Sequence, residues 1–203
     1  MKLFYLLLTT LFLTCTSASA QEDAPEALIK KVTDEVIAVL KQDKDIQSGD
    51  VRKAAELIET KVLPQFNFTR MTALAVGKDW NRASAEQKKQ LSDEFRTLLV
   101  RTYSNALTNY KDQTLRYKPS KMQGDAEAVV RTEVLQPGGK PIAMDYSVEK
   151  LADGWKIYDV VVAGVSLVTN YRDTFAQEVR ANGIDGLIQM LAAKNKQINV
   201  GKK

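Results

Sequence analysis

The spacing of apolar residues divides the chain into three stretches. Over residues 25–112 the apolar positions recur at helical intervals. Leu28, Val32, Val36 and Leu40 mark one face, and Val51, Ala55, Ile58 and Val62 mark another that Pro64 ends. Phe68 to Val76 predicts a short helix with Gly77 as its C-terminal stop. Ser84 followed by Gln87 has the form of a capping box. Behind it Leu91, Phe95, Leu98, Leu99, Tyr103, Ala106, Leu107 and Tyr110 form the aromatic-rich face of a long helix.

Over residues 114–162 the period falls to two. Ala128, Val130, Thr132 and Val134 alternate with Val129, Arg131 and Glu133. Ile142, Met144, Tyr146 and Val148 alternate with Ala143, Asp145, Ser147 and Glu149. Turns at "PGGKP" and "ADG" separate these runs from Trp155, Ile157, Asp159 and Val161. One apolar and one polar face predict antiparallel strands. Over 166–197 the helical period returns, with Val168, Tyr171, Phe175 and Val179 before Gly183. Asp185 then opens a last helix carrying Leu187, Ile188 and Leu191, with Lys194 and Lys196 near its end. Helices segregated from an antiparallel sheet give an α+β fold.

One passage breaks the alternation. "DVVVAGVSLVTNYRDTF", residues 159–175, runs from a strand through a bend into a helix without turning polar. Val160 to Val162 are apolar on both faces, so the last strand must be covered on both sides. An apolar seam at a sheet rim is where a binding cavity between a curved sheet and covering helices is built.

The first twenty residues stand apart. Lys2, an apolar run from Leu3 to Leu13, and Ala18 and Ala20 in an A-x-A arrangement predict a secretory signal peptide cleaved after Ala20. Residues 21–203 are then expected to form one exported α+β domain, with no further run long enough to span a bilayer.

Composition narrows the chemistry. The chain has no histidine, and its single cysteine, Cys15, lies within the predicted signal. Disulfides, Cys or His nucleophiles, a Ser-His-Asp triad and most zinc sites are therefore excluded from the mature protein. The net charge of +4 is small and dispersed, and no aromatic-basic interleaving points to nucleic acid. For an enzyme there remain Tyr146 with Asp145, Tyr158 with Asp159, or Asp159 with Tyr146 across strands. Adjacent strand residues face opposite ways, which disfavours the first two pairs. A ligand-free exported adaptor is a further alternative.

Two long blocks carry a resemblance. "FNFTRMTALAVGKDWNRASAEQKKQLSDEFRTLLVRTYSNAL" and "WKIYDVVVAGVSLVTNYRDTFAQEV" with "GIDGLIQML" resemble the MlaC family, also called the toluene-tolerance auxiliary family. Its members are periplasmic phospholipid-binding proteins of the pathway that maintains outer-membrane lipid asymmetry. The resemblance implies a sheet curled against helices around an apolar pocket for the acyl chains of a diacyl phospholipid. It also implies a shuttle between an outer-membrane lipoprotein complex and an inner-membrane transporter complex, with lipid as cargo and no cofactor. The residues expected to line the pocket are Trp80, Phe95, Leu99, Tyr103, Met144, Tyr146, Val161, Val165, Leu167 and Tyr171. Those on helices suit a plain core equally well.

Overall fold

The computed structural model describes residues 24–200, so the predicted signal peptide and its cleavage site lie outside the described residues. Helix α1 spans Pro25–Gln42, with proline at its first turn, where a missing N–H costs nothing. A four-residue turn of helix, α2 (Lys44–Gln47), is capped by the Asp43 carboxylate. Helix α3 (Val51–Leu57) is capped likewise by Asp50. It widens into a π turn over Ile58–Val62 and tightens to a 3-10 turn at Leu63–Gln65. The face of α3 that buries most deeply carries Ala54 and Leu57. The wider stripe of Val51, Ala55, Ile58 and Val62 is only half-buried.

Helix α4 (Phe68–Val76) ends at Gly77, whose φ of 69° permits the reversal. Helix α5 (Ala85–Thr108) begins with the Ser84–Gln87 capping box, both bonds formed. The six strands follow: β1 (Thr114–Tyr117), β2 (Lys121–Met122), β3 (Glu127–Leu135), β4 (Ile142–Leu151), β5 (Gly154–Val162) and β6 (Val165–Ser166). Their order is β1-β3-β4-β5-β6, all antiparallel, with β2 also pairing with β3. Helix α6 (Arg172–Val200) is broken at Gly183, whose φ of 72° and ψ of −176° are open essentially to glycine alone. The third stretch thus holds the two helical pieces that its glycine predicts.

Two main apolar clusters flank the sheet. One packs Ile29 of α1 on Ala128, Val130, Val148, Ile157 and Val160. The other gathers Met71, Leu91, Phe95, Val168, Phe175 and Leu187 from α4, α5 and the C-terminal region, with Tyr158 from β5. The last strand is therefore covered on both sides, as its apolar run requires.

The passage after β5 reverses tightly. Ala163 (φ 50°) and Gly164 (φ 85°) form a two-residue turn of the left-handed type that matches strand twist. Beyond it the chain straddles both clusters. Leu167 packs against the α1 side and Val168 is sealed into the helical side. Asp159 pins this crossing: it accepts the Ser166 hydroxyl at 2.6 Å, and Ser166 Oγ accepts the Thr169 N–H at 2.8 Å. Burial pushes the Asp159 carboxyl above its ordinary value. The passage stays apolar because it joins two cores.

Candidate functional site

Helix α1 does not lie flush on the sheet. Its N-terminal half is anchored by Ile29 and its C-terminal end by Leu40, both buried. Between them Val32, Thr33, Val36 and Ile37 are only half-buried and border an apolar cavity of about 420 Å³. The opposite wall is the apolar sheet face. Leu115, Val134 and Ile142 form one cross-strand row, and Met144 with Val162 forms a second. Ala106 and Leu107 at the end of α5, with Tyr110 just beyond it, close one side, and Val62 and Phe66 contribute from the segment after α3. The volume lies within the range of roughly 300–1,000 Å³ usual for ligand sites.

Polar groups in this lining are few. Gln113 and Gln136 flank the β1–β3 end, where the register places them side by side beyond the Thr114–Leu135 pair. Among the described residues, no lysine, arginine, aspartate or glutamate lines the cavity. Tyr146, on β4, donates its hydroxyl to Met144 Sδ at 2.8 Å, a weak acceptor. Burial in this apolar wall pushes the Tyr146 phenol far above its ordinary value. The Tyr110 hydroxyl is shut off from solvent and has no hydrogen-bond partner among the described residues. The cavity can take up long apolar chains; its interior offers no charged group for chemistry.

Of the ten residues expected from sequence, Met144 and Tyr146 line this cavity together. Phe95 and Leu99 are buried in the helical cluster instead, where the Phe95 ring meets Tyr171 edge-on at 5.2 Å. Tyr103 is 37 % exposed on α5. Trp80 borders a separate surface cleft between Pro64 and α5, with the Lys88 ammonium 5.6 Å above its ring. Val161 is paired with Asp145 and Ser166, on the face of the sheet turned away from Met144 and Val162. Val165 stands 52 % exposed at the hairpin, and Leu167 packs against the α1-side cluster. Helix α1 and the row Leu115, Val134 and Ile142 were missing from the expectation. The signal for α1 was present: Leu28, Ile29, Val32, Val36, Ile37, Val39 and Leu40 cover more of the helix than one packing stripe needs.

The cross-strand pairing of Asp159 with Tyr146 does not assemble. Tyr146 lies opposite Val160, whereas Asp159 lies opposite Ser147, so the two side chains leave the sheet on opposite faces.

The model of one protein family, MlaC (MlaC protein), matches residues 30–193. This chain belongs to the MlaC family. Among curated relatives, the intermembrane phospholipid transport system binding protein MlaC of Haemophilus influenzae is 27% identical over 195 residues, 93% of this chain and 91% of that protein. Toluene tolerance protein ttg2D of Pseudomonas putida is 24% identical over 162 residues, 79% and 75% of the respective chains. A solved structure, the phospholipid-binding protein from Ralstonia solanacearum in complex with a phospholipid, superposes with a TM-score of 0.79 at 39% identity. That match covers 85% of this chain and 97% of the other. The family membership and the shared fold carry the α+β reading over nearly the whole described chain.

Proposed function

We propose that this protein is a periplasmic phospholipid carrier that holds the acyl chains of its cargo between helix α1 and the sheet. One observation carries the reading: an uncharged apolar cavity lies in a fold shared, at 39% identity, with a protein solved in complex with a phospholipid. The chains lie along Val32, Val36 and Ile37 on one side and Met144, Tyr146 and Val162 on the other. The headgroup stays near Gln113 and Gln136, since burying a charged phosphate unpaired is costly.

Energetics favour a shuttle. Two sixteen-carbon chains carry about 30 methylenes at roughly 0.8 kcal/mol each, so free passage through water costs about 24 kcal/mol. Cavity and bilayer are both apolar, so exchange between them is nearly balanced. Residues 1–20 direct export and are removed after Ala20, and residues 21–203 act as one lipid-binding domain. Loading and unloading then require contact with an outer-membrane lipoprotein complex and an inner-membrane transporter complex. The reading needs neither a catalytic group nor a cofactor.

Native mass spectrometry of gently purified protein tests this. A mass increment matching one diacyl phospholipid is expected. A bare protein mass, under conditions that preserve a control lipid complex, would overturn the carrier reading.

A further inference from the structure

One corner of the cavity's rim is apolar and stands in water. At one end of the sheet β1 begins, β3 ends, β4 begins and β5 ends, and the β5–β6 hairpin turns beside them. Helix α5 ends there too, since the chain passes from its last turn through Gln113 into β1. The β1–β3 corner of this end is polar, with Gln113 and Gln136. The β5–β6 corner is not. Met144 lies opposite Val162, and Val162 lies opposite Val165, so the three form one cross-strand row on the cavity face of the sheet. Met144 and Val162 line the cavity, and Val165, one strand further out, is 52 % exposed. On α5, Ala106 both lines the cavity and is exposed, so the cavity meets solvent beside it. Tyr103, one turn earlier, meets Tyr171 through their hydroxyls. That contact ties this stretch of α5 to the turn that follows β6 (Thr169–Tyr171).

We infer that the acyl chains enter and leave the cavity between the end of α5 and the β5–β6 hairpin, with Val165 as an apolar lip that they cross on the way. The inference rests on the carrier reading above. Val165 lies outside the resting wall, so its role is in passage and not in holding the lipid. Threonine has nearly the shape of valine and suits a strand as well, so pairing with β5 does not by itself call for an apolar residue at this exposed place. What valine adds is continuity: the row from Met144 through Val162 runs on to the surface without a polar break. A chain that slides along it exchanges one apolar contact for the next, and fewer of its methylenes stand in water at any moment. The glutamine corner serves the other end of the lipid, keeping the headgroup among polar groups. A rim with one polar and one apolar corner thus orients the cargo as it passes.

The test separates rate from occupancy. Mature protein loaded with a diacyl phosphatidylethanolamine is mixed with excess methyl-β-cyclodextrin, a neutral lipid acceptor that needs no partner protein. Native mass spectrometry follows the loss of the lipid-bound mass with time. Each methylene left in water during transit slows release about fourfold, so two of them slow it by roughly tenfold. Val165→Arg and Val165→Glu should both start with wild-type occupancy and release lipid roughly tenfold more slowly. Agreement between the two signs of charge separates a lost apolar lip from an attraction to the headgroup. Val165→Leu should release at the wild-type rate. So should Leu151→Arg, which places the same charge on a side chain 40 % exposed at the opposite end of the sheet. Release at the wild-type rate from both charged Val165 variants, or an equal slowing in Leu151→Arg, overturns the lip and leaves the carrier reading intact. Lost initial occupancy in the charged Val165 variants overturns it as well, because Val165 would then belong to the resting wall. Wild-type protein that carries no lipid overturns both.

Discussion

Val36 and Val165 are chemically the same and should respond oppositely to a charge. Val36 borders the cavity on α1, whereas Val165 is 52 % exposed on the β5–β6 hairpin. An arginine at position 36 faces an apolar wall with no carboxylate among its described residues, and an unpaired charge there costs several kcal/mol. Val36→Arg should therefore lose its lipid. Val165→Arg should keep it and shift stability by no more than about 0.5 kcal/mol. Lipid occupancy by native mass spectrometry, with urea unfolding as a fold control, checks both. Lipid lost from Val165→Arg but kept by Val36→Arg would place the acyl chains at the hairpin. The sequence alone offers Val165 and Leu167 among its ten lining residues, because a run of apolar residues through a bend looks the same whether it lines a cavity or ties two cores together. Only the positions of Leu167 and Val168, one in each cluster, separate the two.

At the scale of elements, one cation ties α4 to two strands of the sheet. Arg70 donates to Glu149 at 2.7 Å and to Glu127 at 2.8 Å, and its guanidinium lies 3.6 Å above the Tyr158 ring. Tyr158 completes the clasp by donating to Glu127 at 2.9 Å. Glu127 and Glu149 lie directly opposite each other on β3 and β4, so without the arginine they repel. The Arg70 hydrogen bonds, with that from Tyr158, hold the Glu127 carboxyl below its usual range. A depressed carboxylate contributes stability above its unfolded value and loses it as pH falls through the folded one. Urea midpoints should thus fall as pH drops from about 5 towards 3. Arg70→Met should cost about 1–3 kcal/mol at pH 7, a range lowered because the groups are partly exposed. It should also flatten that acid limb, since Glu127 no longer gains from ionising. An acid limb of unchanged slope in the variant would mean other carboxylates dominate it. The strands, capping box and glycine stops were legible because period and turn chemistry are local. This clasp was not: Arg70 and Glu149 are 79 positions apart, and only the fold brings them together. The short strand β1 was equally hidden, since four residues alternating between exposed and half-buried carry too little pattern to place its ends.

At the scale of the molecule, an α+β arrangement with one helix standing off its sheet has a thermodynamic consequence. Core and cavity wall are made of the same residue types, so what distinguishes them is volume left unfilled between α1 and β1, β3, β4 and β5. That volume is about 420 Å³. At about 24 cal/mol per Å³, the scale measured for cavities left by truncated core residues, filling it gains up to about 10 kcal/mol. This approaches the whole stability of an ordinary domain. The gain is an upper bound, because α1 can settle inward. It contacts the sheet mainly through its N-terminal half, and its half-buried residues Val32, Val36 and Ile37 have room to move. Lipid-loaded protein should therefore melt several degrees above protein stripped by organic extraction and refolded, and the difference should grow with lipid supplied, as linkage requires. Amide exchange localises the effect. Protection should rise on loading along α1 and the facing strands β1 and β4, and stay level in α5 near Phe95, whose cluster is already closed. Equal melting temperatures for verified loaded and stripped samples, with unchanged exchange along α1, would mean the space between helix and sheet is not where the lipid resides.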